Sequence, residues 1–289
     1  MDRRDFIKNT GLLSALTLAG NSFASTTGSG KAKPLPSYGI IITSKVDWFR
    51  DDPHKALQTL ADLGYHQIEF SGELGISEKE GKELFKKLGI KPLINGGAMY
   101  NLTDKDLFKQ AMNDCHKWGQ KYYACYYPFL DGKKDVPIDE WKRVCDRMND
   151  AGRRCKAEGV TLLYHNHDYE LQITEGIIPY DIILQYTDPE LVEIEMDVYW
   201  IEYAGQSAAH FLKKYPGRFP VLHLADMDYT PKKDFADMGM GCIPYTDIFP
   251  YAKTGGVKYF IAECNMAGIT RENVATSARY LSNIKYKLL

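Results

Sequence analysis

Short runs rich in β-branched and aromatic residues alternate along this chain with longer segments whose apolar residues return every three or four positions. Residues 38–43, 66–70, 90–95, 121–127, 160–164, 192–197, 219–224 and 257–264 read as strands. A helix follows Asp51-Asp52-Pro53 and carries Ala56, Leu57, Leu60 and Leu63 on one face before Gly64. Ser77 with Glu80 predicts a capping box for the next helix, whose stripe includes Leu84 and Leu88 and which stops at Gly89. A third covers 103–117, with Leu107, Ala111 and Cys115 or Trp118 inward. From about Ile138 the stripe Trp141, Val144, Cys145, Met148, Ala151 and Cys155 runs to Gly159, and further helices are predicted at 178–186, 207–215, 245–252 and 271–287. Strict alternation implies a parallel sheet. No glycine-rich GxGxxG turn follows the first strand, which counts against an open doubly wound sheet. Eight strand–helix units predict an α/β fold, a single-domain (β/α)8 TIM barrel over residues 37–289.

The N-terminus follows different rules. Arg3-Arg4-Asp5-Phe6-Ile7-Lys8 is a twin-arginine signature, followed by an apolar run at 11–20 and the small-residue end Ser22-Phe23-Ala24. That run is too short to span a bilayer, so residues 1–24 predict a removable export signal and a periplasmic address. The Ser/Thr/Gly-rich residues 25–36 predict a flexible linker. No later segment is apolar for long enough to hold the mature chain in a membrane. A formal net charge of -2 and the lack of a Lys/Arg run exclude a nucleic-acid partner and leave a small-molecule carbohydrate as the expected one, with a homo-oligomer left open. Six cysteines suit periplasmic disulfides, but Cys145 and Cys155 fall on one predicted helix, roughly 15 Å apart along its axis. With no CxxC present, they read as mostly free, buried thiols.

Four polar residues interrupt apolar strand ends: His165, Asp197, His223 and Glu263. Each lies about one strand–helix unit from the next, so a barrel would carry all four to one end. Nitrogen and oxygen donors in that mix suit one divalent cation, among Mn, Zn, Co, Fe or Mg. His167 lies two residues beyond His165 and so on the same side of an extended strand, where it is a candidate proton donor or substrate contact. Glu193 and Glu195 share the alternation of Asp197, and one of them is read as solvated or capping. Glu69 closes the second strand and is a candidate acid/base partner to Glu263. Trp200, Asp226 and Asn265 are candidate substrate contacts, Trp200 by stacking on a sugar face; Glu170 is a further loop candidate. A cation that polarises a carbonyl, with a carboxylate moving a proton at the neighbouring carbon, describes isomerisation or epimerisation through an enediolate.

The stretches Leu60-Ala61-Asp62-Leu63-Gly64-Tyr65, Ile68-Glu69-Phe70, Tyr164-His165-Asn166-His167, Met196-Asp197, Leu222-His223-Leu224-Ala225-Asp226, Met238-Gly239-Met240-Gly241 and Ala262-Glu263 resemble the xylose isomerase-like TIM-barrel superfamily of sugar (phosphate) isomerases and epimerases. The resemblance runs from about Tyr38 to the C-terminus and points to an exported branch. It implies a metal quartet of Glu, Asp, His and Glu from strands five to eight, whose last three members fall on Asp197, His223 and Glu263. Two positions depart from the pattern: His165 stands where many epimerases have Glu, and Ala225 where the loop usually carries Lys. A metal-dependent sugar isomerase or epimerase is the expected function. The alternatives are a lyase that cleaves 3-keto-glycosides by β-elimination and a non-catalytic periplasmic sugar-binding barrel.

Overall fold

The computed structural model describes residues 32–43, 46–129, 136–264 and 269–287. Its centre is a ring of parallel strands: β1 (Tyr38–Ile41), β2 (Tyr65–Glu69), β3 (Lys91–Ala98), β4 (Tyr122–Tyr127), β5 (Thr161–His165), β6 (Val192–Asp197), β7 (Val221–Leu224) and β8 (Tyr259–Ala262). Each strand pairs with its neighbours in sequence, and β8 closes on β1, so the ring has no edge. This is the eight-stranded barrel that the alternation predicts. Both faces of every strand are covered, which is why the strands read as near-continuous apolar runs.

The crossovers are α1 (Pro53–Asp62), α2 (Glu78–Leu88), α3 (Lys105–Trp118), α4 (Ile138–Ala157), α5 (Pro179–Tyr186) and α6 (Ala208–Lys214), with α7 (Arg271–Asn283) after β8. Their starts follow local chemistry. Asp52 accepts from Lys55 N ahead of Pro53, and Ser77 accepts from Glu80 N. Between β7 and β8 the crossover is broken into short turns at Tyr245–Ile248, Phe249–Tyr251 and Ala252–Gly255.

Three expectations change. The buried stripe of α3 is Phe108, Ala111, Met112, Cys115 and Trp118; Leu107 sits at its margin, because the stripe is set one position further on by the Trp118 end packed against Phe70 and Phe85. The end of the expected linker is ordered: Lys33–Pro34 pairs antiparallel with Lys285–Tyr286. Accordingly the last helix stops at Asn283, where extended chain lets Ile284 and Tyr286 bury together with Leu35. The predicted export signal and the start of the linker lie outside the described residues, as does Asn265. All six cysteines are free; Cys242 is exposed and the other five are buried. Among the described residues no helix is long and apolar enough to cross a membrane.

Candidate metal centre

Strand register decides which side chains meet inside the ring. Asp197 pairs with His223 across β6 and β7, and His165 pairs with Glu195 across β5 and β6. Because side chains alternate along a strand, Glu195 and Asp197 point the same way, into the barrel. Glu69 ends β2, and Glu263 directly follows β8. All six positions thus gather at the C-terminal end of the ring, the end where barrels of this kind do their chemistry.

The donor atoms converge at one corner. His165 Nε2 lies 3.6 Å from Asp197 Oδ2. His223 Nδ1 lies 3.7 Å from the same oxygen and 3.2 Å from Glu263 Oε2. Ligands held about 2.1 Å from a zinc-like ion sit roughly 3.4 Å from one another in a tetrahedral shell, so these spacings suit a cation at their centre. Burial makes the same point. Glu69, Glu195 and Asp197 are completely buried and His223 is 1% exposed, yet Glu69 Oε2, Glu195 Oε1, Asp197 Oδ2 and His223 Nε2 lack hydrogen-bond partners. Buried charge without a partner is costly, and a divalent ion is the partner this donor set fits. Burial, and then the neighbouring Glu69, push the Glu195 carboxyl well up. Burial works against a charged His223, but Glu69, Asp197 and Glu263 outweigh it and raise that imidazole.

The neighbours hold each group in place. Asp197 Oδ1 accepts from Trp200 N at 3.2 Å, capping the short helix Val198–Tyr203 and leaving Oδ2 for the corner. Asn166 clamps the Asp197 backbone: its Oδ1 accepts from Asp197 N at 2.9 Å, and its Nδ2 donates to Asp197 O at 3.1 Å. Tyr126 Oη donates to Glu69 Oε1 at 2.5 Å. That bond needs Gly96, since a Cβ there would stand 2.4 Å from the Tyr126 ring.

A family model described as xylose isomerase-like TIM barrel matches residues 57–284. The chain belongs to that family. Inosose dehydratase of Clostridium perfringens is 36% identical over 101 residues, which cover 35% of this chain and 33% of that enzyme. Inosose dehydratase of Clostridium beijerinckii is 30% identical over 139 residues, covering 42% and 46%. The chain therefore spans less than half the length of these curated relatives. A solved sugar phosphate isomerase/epimerase from Parabacteroides distasonis has 25% identity and a TM-score of 0.68, with 85% of this chain and 99% of that one covered.

Within this xylose isomerase-like barrel the other expected residues separate. His167 is half-buried beside the corner, its ring 5.1 Å from that of His165 and stacked between Tyr127 at 5.2 Å and Tyr169 at 5.6 Å. Trp200 lies next to it at 5.8 Å and continues the aromatic wall into Tyr199, Tyr203 and Phe235. Asp226 does something else. Its Oδ2 accepts from Gly239 N and Gly241 N and its Oδ1 from Met227 N and Ile243 N, so both oxygens shape the loop after β7. Gly241 permits this approach, because a Cβ there would meet Met227 O at 2.3 Å. Glu170 is fully buried outside the ring, where Tyr164 Oη donates to it at 2.5 Å and His167 N at 2.9 Å. Burial pushes its carboxyl up to about 7. Glu195, Asn166 and Tyr126 are the site residues that pattern reading passed over. Only Glu195 left a signal, its even spacing from Asp197.

Proposed function

We propose that this protein is a metal-dependent lyase acting on a keto-carbohydrate, eliminating water or an alcohol from the carbon next to the proton it removes. The carrying observation is the single accessible carboxylate: the Glu263 side chain is 14% exposed, while Glu69, Glu195 and Asp197 are sealed beneath it. Epimerisation asks for two acid/base groups on opposite faces of one carbon. Here Glu69 is committed to Tyr126 and faces His223, so it does not supply the second. His167 adjoins the corner through His165, whose ring is 5.1 Å from that of His167 and 5.0 Å from that of His223. A base at one carbon and an acid at the next is the requirement of β-elimination.

His165, Asp197, His223 and Glu263 would hold the cation. Once bound, a divalent cation supplies Lewis-acid polarisation of the substrate carbonyl, which lowers the cost of an adjacent carbanion. Glu263 takes the α-proton. His167, its ring fixed between two tyrosines, gives a proton to the departing oxygen, so that the C–O bond breaks as the C=C bond forms. Trp200 and the tyrosines offer apolar faces to the sugar ring. The relatives named inosose dehydratase support elimination as the outcome. The second reading, isomerisation or epimerisation, is favoured by the name of the Parabacteroides distasonis structure. The leader read in residues 1–24 extends the proposal to unphosphorylated substrates met outside the cytoplasm.

The test is incubation of the metal-loaded protein with a keto-inositol and with a 3-keto-glycoside, followed by mass spectrometry. Loss of one water or release of the aglycone is expected. A product that loses neither water nor aglycone and, in deuterated water, gains one deuterium at carbon would replace the lyase with an isomerase.

A further inference from the structure

Each of the two histidines at the corner has a buried carboxylate on its far side. Glu195 Oε2 lies 3.1 Å from His165 Nδ1, and Glu69 Oε2 lies 3.6 Å from His223 Nε2. The two rings are turned in opposite senses: His165 presents Nε2 toward Asp197, whereas His223 presents Nδ1. Glu195 and Glu69 come from strands on different sides of the ring, and neither reaches solvent. At 3.6 Å Glu69 is beyond hydrogen-bond reach of His223, but Glu195 Oε2 is near enough to accept the hydrogen of His165 Nδ1. The lone pair is then left on the opposite nitrogen.

We propose that Glu195 is a positioning residue that makes Nε2 the nitrogen of His165 that meets the cation. Glu195 fixes His165 directly. Glu69, held by Tyr126 across Gly96, stands 3.6 Å from His223 Nε2 and makes no hydrogen bond to it. This assignment rests on the cation site proposed above. It also explains the use of His165 as a ligand. A histidine on β5 needs a hydrogen-bond acceptor behind it, and the register of β6 places Glu195 opposite. Glu195 and Asp197 are thus two consecutive inward positions of one strand, the first holding a ligand and the second being one.

The same atoms allow a rival arrangement, since Glu69, Glu195 and His223 also form a compact group of metal-type donors. One experiment separates the two. Zn²⁺ affinity is measured by competition with a chelator for the wild type, Glu195→Ala, Glu195→Gln, Glu69→Gln and Asp197→Ala, alongside metal stoichiometry and unfolding of the metal-free proteins. One Zn²⁺ per chain is expected, with affinity about 10- to 100-fold weaker in Glu195→Ala, a smaller loss in Glu195→Gln, which keeps an acceptor oxygen, and little change in Glu69→Gln. Long-range ¹H–¹⁵N spectra of the histidine-labelled, Zn²⁺-loaded protein should show His165 protonated at Nδ1. Two Zn²⁺ per chain, His165 protonated at Nε2, or a Glu69→Gln loss as large as that of Glu195→Ala overturns the proposal. So does a Glu195→Gln or Glu195→Ala protein that unfolds more easily yet binds Zn²⁺ as tightly as before. If Asp197→Ala itself leaves affinity unchanged, the cation site falls instead, and the positioning role falls with it.

Discussion

Two layers of side chains fill the barrel, separated by two residues along the same strands. The lower is apolar: Leu163 on β5, Val221 on β7 and Ile261 on β8 pack with Ile41, Leu93, Ile94, Tyr122 and Ala124. The upper, at the next inward position of each strand, is His165, His223 and Glu263. Backbone, direction and burial hardly change between them, so the difference lies in what each layer needs for company. The lower one is satisfied by contact with itself. The upper one is satisfied only in part, and its unpartnered atoms define the candidate centre. One strand departs from the pattern: β6 carries carboxylates at every inward position, with Glu193 near Lys258 at 3.8 Å, then Glu195, then Asp197.

Breaking the upper layer should have the largest effect. Asp197→Ala is expected to abolish cation binding and lower kcat/KM by about 10³-fold or more, on the order of 4 kcal/mol of transition-state stabilisation. Isothermal titration with Mn²⁺ and product assays check it, while circular dichroism of the metal-free protein should remain that of a folded barrel. Breaking the lower layer should do the reverse. Leu163→Ala is expected to cost about 2–5 kcal/mol of stability in urea unfolding, with Mn²⁺ affinity of the folded fraction within a few-fold of wild type.

Glu170 sharpens the contrast, being a carboxylate buried where no cation-type donors gather. Its carboxyl titrates near 7 in the fold against 4.5 as the ordinary value. The fold therefore binds a proton that the unfolded chain releases, and this contribution is complete below about 4.5 and lost as pH rises through about 7. Glu170→Gln should gain on the wild type across that window, by up to about 3 kcal/mol. Urea unfolding at pH 5 and pH 8 measures it; a difference that shrinks with pH would refute the assignment. The smallest effect is expected at the aromatic wall, where Trp200→Ala should raise KM by about tenfold with kcat little altered, as for a contact shared by ground and transition states.

The barrel was legible because parallel strands covered on both faces leave long apolar runs, and because helix punctuation such as Ser77 and Gly89 is local. The ligand candidates stood out as polar ends on those runs. Glu195 did not, for a physical reason. Val192-Glu193-Ile194-Glu195-Met196-Asp197 alternates in the way a half-exposed strand does, and only closure of the ring shows that its polar face is the inner one. Asp226 carries the opposite lesson: a polar residue just past a strand resembles a substrate contact until four backbone N–H groups are found on it. Lys33–Pro34 was hidden because its partner, Lys285–Tyr286, lies at the other end of the chain, where no local pattern reaches.

Asp197 caps Val198–Tyr203 through one oxygen and faces the cation corner with the other, and that helix carries Trp200. Occupancy of the corner and stiffness of the sugar-facing wall are therefore tied to a single side chain. Linkage then requires reciprocity: whatever factor the cation contributes to sugar affinity, the sugar returns to cation affinity. If the corner holds the proposed cation and the wall the proposed sugar, a cell poor in the metal would meet a protein with a weaker grip on the sugar, and abundant substrate would help the barrel retain a scarce ion.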